Sequence, residues 1–475
     1  MRNNRNVISL VLTGIVVTLS ACRGDTTPPI LTEIESQTEA VSETVNIAED
    51  KVSSSFTLSY YHDSEIENCA DGVLLFDKKN TFDTNIAKVK VFWGDDHKAF
   101  EDYNPLQEYD NLKGSSYDYT FQNNALIPLD ATKLWVNSYD ENGTLVDSGS
   151  ISVAPYKAKK ELQYEFQVIS DQQISDFSAF YRRSKNTFAD IKENSPESLL
   201  IAVNGDIVDE AKASYYDSFY RSYNEVYSEL DSTKLLVGIG NHEFILQNEE
   251  GSYQGVSEQE LYSRYEERLA LWKEKTKNEN QYFAVEKEGS YFIFLGTTKI
   301  PKTLAGNTRA DCTLGEEQLA WLQEVLEKAS KNNKPIYLFS HGSLRDTVSG
   351  SLTEKGQTWF GYSKEEETRL REIISPYPQI LFFSSHSHWC FESERSYLIE
   401  DGKPSFFNTA AIGYLWQGNN GGESYRKGDY EHGGAQGLYV EVYEDQLFIR
   451  GRQFEASDAK SKYWYSGYQV VLPIN

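Results

Sequence analysis

Cysteine is scarce in this chain. Cys22, Cys69, Cys312 and Cys390 are its only four in 475 residues. None lies in a ligand-like pattern, so a structural zinc ribbon is not indicated. If Cys22 is consumed by N-terminal processing, three thiols remain, and an odd number cannot all pair within one chain. Cys312 and Cys390 could bridge in an oxidising compartment; two unpaired buried thiols are the other reading. Positive charge is also short: 46 Lys and Arg stand against 72 Asp and Glu, a formal net charge of -26. So acidic a surface repels phosphate backbones and argues against a nucleic-acid duplex as partner. It leaves room for small phosphorylated substrates, because bound cations reverse the local field. After the first twenty residues no segment resembles a membrane span. No internal repeat and no long low-complexity tract appears.

What is present suits folded, β-rich domains. Apolar residues make up 39%, enough for sizeable cores, and 32 Tyr with 24 Phe favour strands. The length suggests two or three domains. Arg2 and Arg5 precede a short apolar stretch, Val7 to Leu19, and then Leu19-Ser20-Ala21-Cys22. That stretch resembles the lipobox of bacterial lipoproteins. The resemblance implies that residues 1–22 are a signal peptide and lipobox, cleaved before Cys22, which then carries lipid. The expectation is an exported protein anchored to the bacterial cell envelope, at the cell membrane or outer membrane, without spanning it. An ordinary signal peptide with a chance cysteine is the alternative. Residues 23 to 54, rich in Thr, Ser, Glu and Pro, read as a disordered tether.

Residues 55 to 157 alternate, as in Phe56-Thr57-Leu58-Ser59-Tyr60, Val89-Lys90-Val91-Phe92-Trp93 and Tyr117-Asp118-Tyr119-Thr120-Phe121. Leu134 to Tyr139 and Leu145 to Val153 flank Asn142-Gly143, a strong hairpin signal. About seven short strands in roughly a hundred residues fit an immunoglobulin- or fibronectin-like sandwich. His62 and His97 read there as solvated. From residue 160 to the C-terminus the pattern becomes βα-like. Strands are expected at Phe166–Ile169, Leu199–Val203, Leu235–Ile239, Ile336–Phe339 and Ile380–Phe383. A helix is expected over Glu258–Thr276, and another from Thr313, with Glu316 completing a capping box.

Each of those five strands runs into a polar cluster: Ser170-Asp171-Gln172-Gln173, Asn204-Gly205-Asp206-Ile207-Val208-Asp209, Gly240-Asn241-His242-Glu243, Ser340-His341-Gly342 and Ser384-Ser385-His386-Ser387-His388. Four of the seven histidines sit in these clusters. Groups at the carboxyl ends of neighbouring strands converge in one crevice. Carboxylate, amide and imidazole donors together suit Mn, Fe or Zn.

In this order the clusters resemble the signature of the calcineurin-like metallophosphoesterases, over about residues 164 to 455. The resemblance implies an α/β chain with a four-layer α/β/β/α sandwich behind the small all-β domain. It implies a binuclear centre of two divalent metal ions. Asp171 and His388 would hold the first metal, Asn241, His341 and His386 the second, and Asp206 would bridge them. His242 would be the catalytic histidine beside the leaving group. Asp209 and Glu243 would orient ligands by hydrogen bonds, or else be ordinary helix-start carboxylates. The chemistry implied is hydrolysis of phosphomono- or phosphodiesters by a water activated between the two metals, with His242 serving the leaving oxygen.

Two positions depart from the pattern. Gln173 stands where the family has His. Its amide either supplies a weaker, neutral oxygen ligand, favouring Mn or Mg in a looser first site, or turns away and leaves the position to water. Ser385 stands where Gly is usual and is small enough to cost little. Loops rich in aromatics follow the motifs. Among them Gly413-Tyr414-Leu415-Trp416 could stack a base or a headgroup, or simply fill space under long loops. The rival to an enzyme is a surface-binding lipoprotein that keeps the fold with weakened catalysis. Gln173 favours that rival, whereas His242, Asn241 and Asp206 favour turnover.

Overall fold

The computed structural model describes residues 50–61, 69–70, 72–110, 112–121, 125–128, 131–153, 161–228, 230–231, 233–245, 257–298, 312–358, 361–417, 423–424, 434–455 and 462–474. Cys22, His62 and most of the expected tether lie outside them. No helix among the described residues is long and apolar enough to cross a membrane.

The first region is all β. Its strands are β1 (Phe56–Tyr61), β2 (Cys69–Ala70), β3 (Val73–Lys78), β4 (Lys88–Gly94), β5 (Gln107–Tyr109), β6 (Ser116–Thr120), β7 (Ala125–Leu126), β8 (Lys133–Tyr139) and β9 (Leu145–Ser152). They form a three-stranded sheet β1-β3-β6, a four-stranded sheet β5-β4-β8-β9 and the pair β2-β7. The alternation read from the sequence turns Phe56, Leu74 and Phe76 of the first sheet toward Val89, Val91, Trp93, Leu134 and Val136 of the second, in one buried core. The Asn142-Gly143 signal becomes the β8–β9 hairpin. Gly143 has φ 78, and Asp140 N donates to Thr144 O at 3.0 Å. The tether expectation fails at its C-terminal end. Ser53 and Ser55 are buried, because Asp147 accepts bonds from Ser53 Oγ at 2.5 Å, Ser54 N at 3.0 Å and Ser55 N at 2.9 Å.

The second region is mixed α/β. Its strands are β10 (Leu162–Ile169), β11 (Leu200–Val203), β12 (Leu235–Val237), β13 (Phe283–Lys287), β14 (Ser290–Leu295), β15 (Ile336–Ser340), β16 (Ile380–Ser384), β17 (Tyr397–Leu398), β18 (Ser405–Asn408), β19 (Trp416–Gln417), β20 (Glu423–Ser424), β21 (Ala435–Tyr443), β22 (Gln446–Glu455) and β23 (Tyr463–Pro473). Its helices are α1 (Ser178–Asn194), α2 (Ala213–Tyr227), α3 (Glu258–Thr276), α4 (Gly315–Ala329) and α5 (Lys364–Ile374). Two six-stranded sheets result, ordered β12-β11-β10-β21-β22-β23 and β13-β14-β15-β16-β18-β17. Phe166, Val168 and Leu438 of the first pack on Phe292, Phe294, Phe339 and Phe383 of the second. Phe188, Phe219 and Trp272, from α1, α2 and α3, cover the outer face of the first sheet. Leu319, Leu322, Leu370 and Ile374, from α4 and α5, cover that of the second. The architecture is thus the four-layer α/β/β/α sandwich expected. The parallel strands β10, β11, β12, β15 and β16 carry the five polar clusters at their carboxyl ends.

Helix α3 spans the expected residues, and Ser257 Oγ accepts from Glu260 N at its start. The capping box at Thr313 does not form. Helix α4 starts at Gly315 without a side-chain cap of its own. Glu366 of α5 instead takes Leu314 N at 3.1 Å and Gly315 N at 3.4 Å. A carboxylate from a neighbouring helix thus satisfies the exposed amides and complements the helix dipole. The two regions join through paired backbone: Asn104 N donates to Trp464 O at 2.9 Å and Trp464 N to Asp102 O at 2.6 Å. Cys312 and Cys390 are both buried thiols outside any disulfide.

Candidate metal centre

The loops after the strands are bent hard to bring their side chains together. Asp171 (φ 53), Gln173 (φ 51), Asp206 (φ 52), His386 (φ 66) and His388 (φ 57) all have left-handed backbone. Each such residue costs about 1–3 kcal/mol, so the surroundings must hold it there. They do so by cross-linking. Asp171 N donates to Gly205 O at 3.1 Å and Gln173 N to Asp206 O at 3.0 Å. Gly205 (φ +88) permits the close crossing of the loops, since a Cβ there would sit 2.7 Å from Gly240 N and 2.8 Å from His341 Nδ1.

Two triplets of possible ligands result, each with its donor atoms within 4.8 Å of one another: Asp206, His341 and His386, and Asp171, Asp206 and His388. All five residues are buried, and Asp206 belongs to both triplets. Asn241 completes the first, its Oδ1 lying 3.0 Å from His341 Nε2. The rings of His341 and His386 are 5.1 Å apart, edge to face.

The histidines are oriented from behind. His341 Nδ1 lies 2.9 Å from Asn204 O, and His388 Nδ1 lies 3.0 Å from Tyr414 O. A carbonyl only accepts, so each Nδ1 carries a proton and each Nε2 faces the centre, an arrangement common to metal-ligating histidines. His388 Nε2 lies 2.9 Å from Asp171 Oδ1, yet that oxygen is buried and makes no hydrogen bond among the described residues. Burying a carboxylate oxygen without a partner is costly. Two donor atoms side by side with no bond between them are what a shared cation would organise. Gln173 turns inward rather than away. Its Nε2 donates to Asp206 Oδ2 at 3.2 Å, and its buried Oε1 has no partner among the described residues. These stranded oxygens, with the carboxylate, amide and imidazole chemistry around them, fit divalent metal ions.

Electrostatics follow from the crowding. Burial alone would raise Asp206, but His341 and His242 outweigh it and hold its carboxyl far below the usual range. Burial lowers His341, but Asp206 prevails and pushes it up to about 10. His242 is likewise penalised by burial, then raised by Asp206 and Asp209 to about 9. Burial and the charge on Asp206 push Glu243 up to about 7.

Glu243 and Asp209 each reach across to another loop of the cluster. Glu243 accepts from Asp206 N at 3.1 Å, Ile207 N at 2.8 Å and Gly240 N at 2.7 Å, tying the second and third loops together. Asp209 faces His242 twice: its carbonyl oxygen is 2.9 Å from His242 Nδ1 and its Oδ1 is 3.4 Å away. Ser385 donates to Asn204 O at 2.9 Å, and its Oγ lies 3.1 Å from His341 Nδ1, so the departure from glycine adds a support. Reading residue by residue missed Asn204, whose side chain donates to Ser340 O at 2.8 Å and Phe383 O at 3.2 Å while its carbonyl orients His341. It also missed the carbonyl of Tyr414. Asn204 stood in plain view at the head of the second cluster; Tyr414 carried no signal, because any residue has a carbonyl.

Residues 172–390 match the calcineurin-like phosphoesterase family, beginning just after Asp171. No curated protein matches the chain. Among solved structures, a dimetal phosphatase from Danio rerio is similar at 12% identity and TM-score 0.42, covering 66% of this chain and 100% of its own. GAP50, described as the anchor in the inner membrane complex of Plasmodium, is similar at 14% identity and TM-score 0.39, over 66% of this chain and 90% of its own. A Vps29 single mutant from Entamoeba histolytica is similar at 10% identity and TM-score 0.27, over 66% of this chain and 99% of its own.

Proposed function

We propose that this chain, which carries a calcineurin-like phosphoesterase domain at residues 172–390, is a metal-dependent hydrolase of phosphomono- or phosphodiesters. The observation that carries this reading is the pair of buried donor triplets sharing Asp206. Asp171 and His388 would hold one divalent ion, with Gln173 Oε1 available to it; Asn241, His341 and His386 would hold the other; Asp206 would touch both. Bound there, two cations would polarise the phosphoryl oxygens and make a water nucleophilic near neutral pH.

The chain's own residues supply the rest. His242 is the least buried histidine of the cluster, its side chain 22% exposed, so an ester can reach it. Asp209 occupies its Nδ1, which leaves Nε2 for the substrate. Asp206 and Asp209 raise His242 to about 9 in the metal-free chain, and a proton held on Nε2 can pass to the departing oxygen. Its backbone N–H donates to Asp206 Oδ1 at 2.8 Å, so the loop that carries the acid is tied to the loop that carries the shared carboxylate. A binding module without turnover has no use for such an acid. The test is hydrolysis of aryl monoester, aryl diester and nucleotide panels after loading with Mn, Fe or Zn, against a chelated control. No metal-dependent turnover on any panel would sink the proposal.

The proposal extends to location. Leu19-Ser20-Ala21-Cys22 supports lipidation at Cys22 of an exported chain anchored in a bacterial envelope. Cys22→Ser should move the protein from the membrane fraction to the soluble exported fraction. Wild type already soluble after cleavage elsewhere contradicts it.

A further inference from the structure

A row of aromatic rings leads from the metal centre to the surface. The Tyr414 ring lies 4.2 Å from the His388 ring, centroid to centroid, inclined by 30°. Phe180 follows at 5.9 Å and 31° from Tyr414, and Phe177 at 5.7 Å and 44° from Phe180. The row is not uniformly covered: His388 and Phe180 are buried, whereas Phe177 at the outer end is 62% exposed. Tyr414 is between, half-buried.

Two features argue against mere filling. The first is Phe177 itself. It is the N-cap of α1, where it makes no side-chain cap bond. That position favours Ser, Thr, Asp or Asn, whose side chains accept from the exposed N–H groups of the first turn. A phenyl there forgoes the cap and exposes apolar surface together, and locally unfavourable choices concentrate at functional sites. The second is the rigidity of the inner end. Gly413 N donates to Asp171 O at 2.7 Å, Trp416 N to His388 O at 2.8 Å, and the Tyr414 carbonyl takes His388 Nδ1. Fully buried Arg183 reaches back from α1 to the Gly413 carbonyl. The loop that aims a metal ligand therefore also aims the Tyr414 ring, and α1, which carries Phe177 and Phe180, is tied to that loop.

We propose that Tyr414 and Phe177, backed by Phe180, form a stacking platform that seats a nucleobase beside the metal centre, so that nucleotide esters are the preferred substrates. This rests on the phosphoesterase reading and narrows it. Aromatic faces take bases regardless of their hydrogen-bond pattern. The platform should therefore discriminate base from no base more than one base from another.

Pairs of esters with matched leaving oxygens test the effect. For monoester hydrolysis the pair is AMP and ribose 5-phosphate; for diester hydrolysis it is thymidine 5'-(4-nitrophenyl phosphate) and methyl 4-nitrophenyl phosphate. In the metal-loaded full chain, kcat/KM for the base-bearing member should exceed that of its partner by about 10-fold or more, the size of one stacked base. Phe177→Ala should lower that ratio by about 3-fold, Tyr414→Leu should bring it close to one, and Tyr414→Phe should keep it. Metal content and thermal melting identify any variant that has misfolded, and the Tyr414→Phe ratio carries the test if Tyr414→Leu is among them. A wild-type ratio near one overturns the platform and leaves the phosphoesterase reading intact. A ratio unchanged in Phe177→Ala and altered in Tyr414→Phe also overturns it. Absence of metal-dependent hydrolysis of any ester overturns the parent reading instead.

Discussion

His341 Nε2 lies 3.1 Å from Asp206 Oδ2, with both side chains 1% exposed. Asp206 also shares the second donor triplet with Asp171 and His388. One carboxylate thus serves both halves of the centre. Asp206→Asn should empty both metal positions and bring hydrolysis to background at any metal concentration. Asp171→Asn should empty one. Metal stoichiometry by elemental analysis checks this, and an Asp206→Asn protein that retains a full metal complement contradicts it.

The same pair makes metal uptake proton-coupled. His341 is raised to about 10 in the metal-free protein, and a metal ligand must be deprotonated. Below that value each binding event at His341 releases a proton, so affinity should climb by about tenfold per pH unit between pH 6 and 9 for this group. The metal-free fold responds in the opposite direction. A histidine whose folded value exceeds its ordinary 6.5 binds protons more tightly when folded, so its stabilisation is complete below pH 6.5 and is lost as pH rises through about 10. Chelated protein should therefore lose melting temperature across that window more than metal-loaded protein does. Parallel melting curves would expose the idea as wrong.

His242 touches Asp209 on one side and faces the opening on the other. His242→Ala should cut turnover by about 10²–10⁴-fold, the usual contribution of a general acid, with metal content near wild type. The deficit should shrink for nitrophenyl esters, whose leaving groups need little protonation. Asp209→Ala should show a smaller loss with the same leaving-group trend. A large loss of metal in His242→Ala would assign it to the ligands instead.

Gln173 places a neutral amide against Asp206, with Oε1 buried and unpartnered among the described residues. An amide oxygen is a harder and weaker donor than imidazole. The metal on the Asp171 side should be the first lost on dilution or mild chelation, and Mn should restore activity better than Zn. Gln173→His should tighten that metal. Titration of metal content alongside activity decides: two tightly held metals in wild type, with no change in Gln173→His, would end the weak-site idea.

Much of this was legible before any fold was known, because runs such as Leu200–Val203 and Phe382–Phe383 bury on both sides and must be central strands. The donor residues could be picked out because His, Asp and Asn gathered just after those strands. The helix start at Gly315 was misread, since its cap comes from Glu366, about fifty residues away, and a local motif cannot report a remote partner. The long antiparallel strands β21, β22 and β23 went unread because they lie outside the βα pattern that marked the others.

By itself the sequence determined which residue types meet at the strand ends, the acidic surface and the two-region plan, all of which follow from local periodicity and composition. Only the tertiary structure decided that Asp206 belongs to both triplets, that Gln173 points inward, that Glu243 ties two loops through three amides, and that the Tyr414 carbonyl orients His388. Those are relations between atoms far apart along the chain. Their distances are set by how two sheets stack and where left-handed turns aim the side chains, and no single stretch of sequence contains that information.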